Sequence, residues 1–253
     1  MTPPVAPAIR IEGLHKRFGG QSVLRGLTLD AAPGELLVII GRSGAGKSVL
    51  LRHMLGLARP DAGRIVIDGQ DVATLRGHAL DRVRERFGVV FQGGALFDSL
   101  TVTANVLFPL RERSRLPGSA LMPRVERALA QVGLSDMGHK FPAEISGGMR
   151  KRVAIARALV TDPQFVFLDE PTTGLDPILV NSIHHLMMEL HRTLRFTAVM
   201  VSHEIPEIFG IAHRVALLHD GVIRAAGTPA EIQGSDDPIV RQLIHGEVES
   251  YVS

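Results

Sequence analysis

The stretch covering residues 35–48 limits the fold of this chain more than any other. It begins with an uninterrupted apolar run, "ELLVII", typical of a strand covered on both faces, and continues directly into "GRSGAGKS". A helix-like segment, residues 49–57, follows. A glycine-rich turn between a buried strand and a helix lets backbone amides converge on a phosphate, and the helix N-terminus adds favourable partial charge. The sequence therefore predicts a phosphate-binding loop; an ordinary strand-to-helix turn is the alternative.

Side chains at the end of this loop have the chemistry to hold a nucleoside triphosphate. Lys47 would contact the β- and γ-phosphates, and the Ser48 hydroxyl would ligate Mg²⁺. The residues expected around the phosphates are Gly41, Arg42, Ser43, Gly44, Ala45, Gly46, Lys47, Ser48 and Val49. The motif alone does not separate a kinase, a GTPase or a motor.

Strand and helix patterns alternate along most of the chain. Residues 9–14 alternate apolar and polar, as expected of a strand with one wet face, and "RIVIDGQDV" reads as a strand meeting a turn. Three further strand-like runs are "QFVFLDE", "FTAVMVSHE" and "RVALLHDGVI". Between residues 93 and 160 strand patterns mostly vanish, and helical segments are predicted around 124–132 and 150–160. The alternation predicts an α/β fold with a largely parallel sheet and helices on both faces.

Composition excludes several classes of function. The formal net charge of +2 is too small to indicate nucleic acid as a partner, and the absence of cysteine excludes disulfides and thiolate chemistry. The start lacks the pattern of a secretory signal, and no uncharged apolar stretch approaches the ~20 residues that cross a bilayer. We therefore expect any membrane role to come through a partner.

Two carboxylates follow the apolar run of residues 165–168 in "FVFLDEP". An unpaired carboxylate is costly to bury, so Asp169 and Glu170 are expected at the strand end rather than in the core. Asp169 is placed to hold the Mg²⁺ shell, through water, and Glu170 to polarise a water for in-line attack on the γ-phosphate. A pair of solvated carboxylates is the alternative.

A second anion-binding helix start occurs in "EISGGMRKR". Ser146 suits the N-cap position, and Gly147 and Gly148 expose backbone amides in the first helical turn. By itself, this segment could equally be a plain helix cap.

Together these motifs resemble those of the ATP-binding cassette (ABC) ATPases over nearly the whole chain. Six elements follow the family's order: the loop 41–48, Gln92 in "VVFQGG", the signature "ISGGM", "FLDEP" with Glu170, "TGLDP" with Asp176, and His203 in "VMVSHE". The resemblance implies a P-loop NTPase core of the RecA-like type with an antiparallel β subdomain and an inserted helical subdomain. It also implies a homodimer that binds ATP and Mg²⁺ and hydrolyses ATP.

In such a dimer two copies pack head to tail around the nucleotide. The resemblance implies that ATP bound to Lys47 of one copy is contacted at its γ-phosphate by the signature of the other copy. The signature comprises Ser146, Gly147, Gly148 and Met149. Met149 replaces the family's usual glutamine and cannot return a capping-box hydrogen bond. The contacts from Ser146 and the glycines are expected to survive.

The resemblance implies roles for four further residues. Gln92 would contact Mg²⁺ or the attacking water and sense the membrane partner, and His203 would hydrogen-bond the γ-phosphate. Asp176 would lie at the dimer interface. Phe18 in "KRFGG" best matches the family's adenine-stacking aromatic, although a phenylalanine there could equally be a packing residue.

The segments "GGALFDSLTVTANVLFPLRE" and "DDPIVRQLIHG" resemble ABC ATPases of the group that serves phospholipid transporters with mammalian-cell-entry (MCE) domains. That resemblance implies a permease pair in the bacterial inner membrane, an MCE lipid-binding subunit, a small STAS-domain partner in many members, and a peripheral position on the cytoplasmic face. An importer of amino acids or other small solutes is the alternative within transporters. A soluble ABC ATPase acting on ribosomes or nucleic acid usually carries tandem cassettes or long insertions, which this chain lacks.

We expect one nucleotide-binding domain over residues 1–253, with a helical subdomain near 95–160 and a C-terminal helical extension near 228–253. Thr228 and Asp237 are predicted N-caps of two late helices, the second carrying an apolar stripe over 239–244 that ends at Gly246. Arg111 to Arg115 are expected on a solvated face, and contact with lipid head groups is the alternative. His184, His185 and His191 lack i, i+4 spacing, so a surface helix is predicted rather than a metal site.

Overall fold

The computed structural model describes residues 6–113 and 117–245. The strands are β1 Ile9–Phe18, β2 Gln21–Ala31, β3 Leu36–Ile40, β4 Ala62–Ile67, β5 Gln70–Asp71, β6 Phe87–Val90, β7 Phe165–Asp169, β8 Thr197–Ser202, β9 Arg214–His219 and β10 Val222–Gly227. The α-helices are α1 Lys47–Met54, α2 Gly77–Arg84, α3 Val102–Arg113, α4 Leu121–Gln131, α5 Gly147–Leu159, α6 Pro177–Leu194, α7 Pro229–Gln233 and α8 Pro238–His245. The chain divides into two units, Met1–Leu80 with Val199–Ser253, and Asp81–Ala198.

The first unit contains two sheets. One is antiparallel, in the order β2-β1-β4-β5, and its alternating pattern buries Ile9, Ile11 and Leu14 of the central strand β1. In the other, β3 runs parallel to β9, which pairs antiparallel with β10. No residue of β3 is more than 1% exposed, which explains its uninterrupted apolar sequence.

The second unit packs helices around the parallel pair β6 and β7. The ring of Phe87 in β6 meets those of Phe165 and Phe167 in β7 edge-on, with centroids 6.0 and 5.0 Å away. Helices α3 and α4 both contact α5, most of which is buried. The start of α5 is thereby fixed by a packed apolar helix body.

The predicted α/β class, the strand-like runs and both late helix caps are confirmed. Thr228 forms a capping box with Glu231, and the Asp237 carboxylate accepts from the amides of Ile239 and Val240. The extent of the helical subdomain and of the C-terminal extension stays a prediction. The first five residues, Ser114 and Arg115 of the charged segment, and Gly246 lie outside the described residues.

Helix α3 was not predicted, because its sequence contains Pro109 and several β-branched residues. Its buried side chains Val102, Val106 and Leu110 nevertheless follow helical spacing. Among the described residues, no helix combines the length and apolar composition needed to cross a membrane.

The prediction that the three histidines of α6 lie on the surface is wrong for two of them. His185 is exposed, but His184 and His191 are 2% and 7% exposed. Their i, i+7 spacing places them on one face of the helix, which packs into the second unit. The His191 ring meets Phe196 edge-on at 5.1 Å.

Candidate functional site

The predicted phosphate loop lies between β3 and α1 and wraps around its own lysine. The ammonium of Lys47 donates to the carbonyls of Gly41, at 2.8 Å, and Arg42, at 3.2 Å, and only 5% of the residue is exposed. The Lys47 side chain thus links the end of the loop to its first two residues. Arg42 and Ser43 are exposed, so an anion can reach the loop from solvent.

Two glycines are required by the geometry of this loop. A Cβ at Gly41 would lie 2.4 Å from the carbonyl oxygen of Leu218 in β9, too close for any side chain. Gly46 caps α1 with φ 102°, a left-handed conformation that favours glycine. The loop therefore keeps its amides clear of side chains, as an anion-binding concavity requires.

Glu170 follows directly after β7 and adopts φ 46°, uncommon for a residue with a side chain. Its Oε2 accepts hydrogen bonds from the side-chain amide of Gln92, at 3.0 Å, and from the hydroxyl of Thr173, at 3.1 Å. Left-handed residues other than glycine persist where surrounding contacts enforce them, often at functional sites. Here two side chains orient a carboxylate that can accept a proton from water.

The structure brings the predicted Gln92 and Glu170 together within the second unit. Asp169 is the last residue of β7, half-buried beside Glu170. Because the Gln92 nitrogen donates to Glu170, the carbonyl oxygen at the other end of this amide is the group suited to a cation.

Ser146 is the N-cap of α5, as predicted. Its hydroxyl accepts from the amide of Met149 at 3.2 Å, and its carbonyl accepts from the amide of Arg150 at 2.9 Å. The amides of Gly147 and Gly148 come earlier in the first turn, where helix geometry provides no carbonyl acceptor. Ser146 is exposed, so this helix start can meet an anion carried by another molecule.

Two basic residues of α5 that the sequence analysis missed hold the segment around Gln92. The Lys151 ammonium donates to the carbonyl of Gln92. The guanidinium of Arg157 donates to the carbonyls of Gly94, at 2.6 Å, and Ala95, at 2.7 Å. Burial lowers the pKa of Arg157. The available signal was the position of Lys151 and Arg157 beside the apolar run of α5, where a buried cation must find partners.

Asp176 is the N-cap of α6, and its carboxylate accepts from the amides of Ile178 and Leu179, both at 3.0 Å. Ile178 itself is 82% exposed. His203 is exposed directly after β8, in the first unit. Phe18, at the end of β1, is 51% exposed, which disfavours the alternative that it packs in the core.

The chain is similar to known proteins over nearly its whole length. The family model described as "ABC transporter" matches residues 24–173. Over 96% of its length the chain is 40% identical to the probable ribonucleotide transport ATP-binding protein Mkl of Mycobacterium leprae, covering 70% of that protein. Over 97% of its length it is 37% identical to the intermembrane phospholipid transport system ATP-binding protein MlaF of Escherichia coli K12, covering 91% of that protein.

Among solved structures, the chain resembles the dimeric post-hydrolysis state of the ATP-binding cassette MJ0796 bound to ADP and Pi. The TM-score is 0.79 at 30% identity, over 87% of this chain and 98% of that one. This likeness confirms the predicted fold class, a P-loop NTPase core.

Proposed function

This chain belongs to the ABC transporter family and hydrolyses ATP as a transporter subunit, and from that premise we propose that it energises phospholipid trafficking between bacterial inner and outer membranes. The observation that carries the proposal is the match to MlaF, which extends over almost the full length of both chains.

In this proposal the loop 41–49 binds the phosphates of ATP, with Lys47 at the β- and γ-phosphates. The loop amides and the lysine ammonium supply positive charge where the triphosphate is most negative. Phe18 offers its exposed ring to adenine. The attraction for the phosphates of ATP thus comes from the first unit, through groups that the loop already holds in position.

Mg²⁺ would accompany ATP, and the predicted ligands fit that ion chemically. The Ser48 hydroxyl, the Gln92 carbonyl oxygen and Asp169, acting through water, are all hard oxygen donors of the kind Mg²⁺ prefers. The ion would supply positive charge at the phosphates. No nitrogen or sulfur donor is required of this set.

Glu170 is proposed as the residue that polarises the attacking water. Its carboxylate is oriented by Gln92 and Thr173 through Oε2, which fixes the direction from which it accepts a proton. His203 would donate to the γ-phosphate and help position that water. Gln92 therefore acts twice, as a ligand and as the group that orients the base.

The signature is proposed to act on a nucleotide held by a second copy. The exposed Ser146 hydroxyl and the amides of Gly147 and Gly148 would contact its γ-phosphate, with Met149 beside them and Asp176 at the interface. MJ0796 bound to ADP and Pi is dimeric, which supports the same arrangement here. ATP then closes the dimer because it bridges two chains only in the closed state.

The membrane partner is proposed to bind near Gln92. Phe91, Phe97 and Phe108 are each at least 40% exposed, and the rings of Phe97 and Phe108 lie 4.8 Å apart. Buried Asn105 supports this surface, bonding both the amide and the carbonyl of Phe97. An exposed aromatic cluster is suited to a protein partner, here a permease pair that holds the subunit at the cytoplasmic face of the inner membrane.

The phospholipid proposal further includes an MCE-domain subunit and a small STAS-domain subunit. The test is a mild-detergent pull-down of tagged Glu170→Gln protein from its native membranes, with mass spectrometry of polypeptides and lipids. Co-purification of an MCE protein, a permease and phospholipid is expected. The matched control is Glu170→Gln carrying Phe97→Ser, which should recover less permease.

A small-solute transporter is the second candidate, because the 40% identical Mkl is named for ribonucleotide transport. Recovery of a permease with a periplasmic solute-binding protein, without phospholipid, would favour this candidate. Either outcome leaves the ATPase mechanism in place.

A further inference from the structure

The ring of Phe18 carries a cation on one face. The ammonium of Lys16, two residues earlier in β1, lies over this ring 5.2 Å from its centroid. A cation within about 6 Å of an aromatic centroid is attracted by the negative face of the ring. Half of Phe18 nevertheless stays exposed. The ring is therefore covered by a charged group and still open to a ligand.

Lys16 is itself held in place, unlike most surface lysines. Its ammonium donates to the carbonyl of Arg59 and to Oδ1 of Asp61, both at 2.9 Å. Only 17% of the Lys16 side chain is exposed. Most of the rotamer entropy of this lysine is already lost before any ligand binds.

Asp61 joins the end of β1 to the segment that follows the phosphate-loop helix. Its Oδ2 accepts from the amide of Arg17 at 2.7 Å, and its own amide donates to the carbonyl of His15 at 2.9 Å. The hydrogen bond from Lys16, followed by that from Arg17, lowers the pKa of Asp61. Its carboxylate thus stays charged at neutral pH and holds Lys16 and Arg17, while its backbone amide holds His15.

We infer that Lys16 is a positioning residue for the adenine base: held by Asp61 and Arg59, it keeps Phe18 in one orientation, with its free face available for stacking. The inference rests on the proposed role of Phe18 in ATP binding. Preorganising the ring removes part of the ordering cost of binding. Since a base stacks on a ring face, the effect belongs to adenine and not to the phosphates.

The test compares two ligands by calorimetric titration of the full chain: MgATP, and magnesium tripolyphosphate, which has no base. In Lys16→Met we expect the dissociation constant for MgATP to rise about two- to fivefold, the range of a partly exposed cation–π contact. The dissociation constant for magnesium tripolyphosphate should stay unchanged. Lys16→Arg should restore MgATP affinity, because a guanidinium also binds carboxylates and aromatic faces.

Loss of a positive charge could weaken binding through the phosphates alone, and the two ligands separate this effect. Equal weakening for both ligands, or no change for either, would overturn the inference. Arg10→Met is the matched control, since Arg10 is an exposed cation of the same strand, 3.8 Å from Glu12. It should leave the ratio of the two dissociation constants unchanged.

Two further variants keep the result interpretable. Asp61→Asn retains an oxygen acceptor for Arg17 but loses the charge that holds Lys16. It should raise the dissociation constant for MgATP and leave that for tripolyphosphate unchanged. If Lys16→Met does not fold, the result for Asp61→Asn decides.

Phe18→Ala tests the premise that Phe18 stacks on adenine. If Phe18→Ala weakens MgATP selectively and Lys16→Met does not, the role of Lys16 fails while that of Phe18 stands. If Phe18→Ala has no selective effect, both fail.

Discussion

The side-chain amide of Gln92 donates a hydrogen bond of 3.0 Å to the carboxylate of Glu170, across 78 residues of sequence. The pair connects the segment proposed to face the permease with the proposed catalytic base. A change in the position of Gln92 would therefore reorient the carboxylate that must accept a proton. In the proposed function, this hydrogen bond would couple movement of the permease to hydrolysis.

Glu170→Gln should abolish turnover and retain nucleotide binding. The carboxamide keeps the size of the side chain but no longer accepts a proton, so we expect steady-state ATPase activity of the transporter to fall by about 10²- to 10⁴-fold. MgATP affinity should remain, and the dimer should accumulate in its closed form. Thr173→Val, which removes only one bond to Oε2, is the control and should cost much less. Turnover near that of the unmodified protein would refute the assignment.

Lys47→Ala should weaken nucleotide binding itself. A hydrogen-bonded charge is worth about 1.5–3 kcal/mol, so we expect about a 10- to 150-fold rise in the dissociation constant for MgATP, measured by titration. Lys140→Ala is a suitable control, because that lysine lies 3.9 Å from Glu144 in the second unit. An unchanged affinity in Lys47→Ala would contradict the proposed phosphate loop.

Ser146→Asp separates helix capping from phosphate recognition. Aspartate caps helices as well as serine, so the thermal unfolding midpoint should change little, whereas its charge would repel the γ-phosphate of the second copy. We expect ATPase activity of the assembled transporter to be lost while the monomer binds MgATP normally. Ser146→Ala should instead lower stability by about 1 kcal/mol. If the aspartate variant hydrolyses ATP at the normal rate, the signature does not contact the nucleotide.

Arg157→Met should destabilise the second unit. It leaves the carbonyls of Gly94 and Ala95 without their guanidinium partner. Ala95 is exposed and its carbonyl can bond water, but Gly94 is buried, and an unsatisfied buried polar group costs about 1–3 kcal/mol. The free energy of unfolding in denaturant should fall by that amount. Arg192→Met, on the exposed side of α6, should change it by less than about 0.5 kcal/mol. Equal losses of unfolding free energy in both variants would show that the hydrogen bonds of Arg157 contribute nothing specific.

The sequence was most informative where chemistry is local. A buried strand, a glycine-rich turn and a helix start lie within 20 residues of one another, so the phosphate loop and the cap at Ser146 could be predicted from spacing alone. The caps at Thr228 and Asp237 depend on hydrogen bonds within three residues and were predicted for the same reason.

Contacts between distant segments could not be read in this way. Nothing in the spacing of Gln92 and Lys151 indicates that this lysine of α5 donates to the glutamine carbonyl. The contact between Lys16 and Asp61 could not be predicted either, because 45 residues separate them. Burial of His184 and His191 was mispredicted because the polarity of a histidine does not indicate which helix face the fold will cover. Helix α3 was missed because Pro109 obscured a pattern that packing reveals.

The hydrogen bonds from Lys151 and Arg157 to the backbone of residues 92–95 have a mechanical consequence. Helix α5, which carries both side chains, has Ser146 as its N-cap, so one helix connects the residues around Gln92 with the signature. In the proposed dimer, a displacement of the aromatic surface by the permease would also displace α5. The signature at the start of this helix would then move toward or away from the nucleotide of the other copy. Cargo binding would thereby control hydrolysis at the nucleotide that the signature contacts in the other copy.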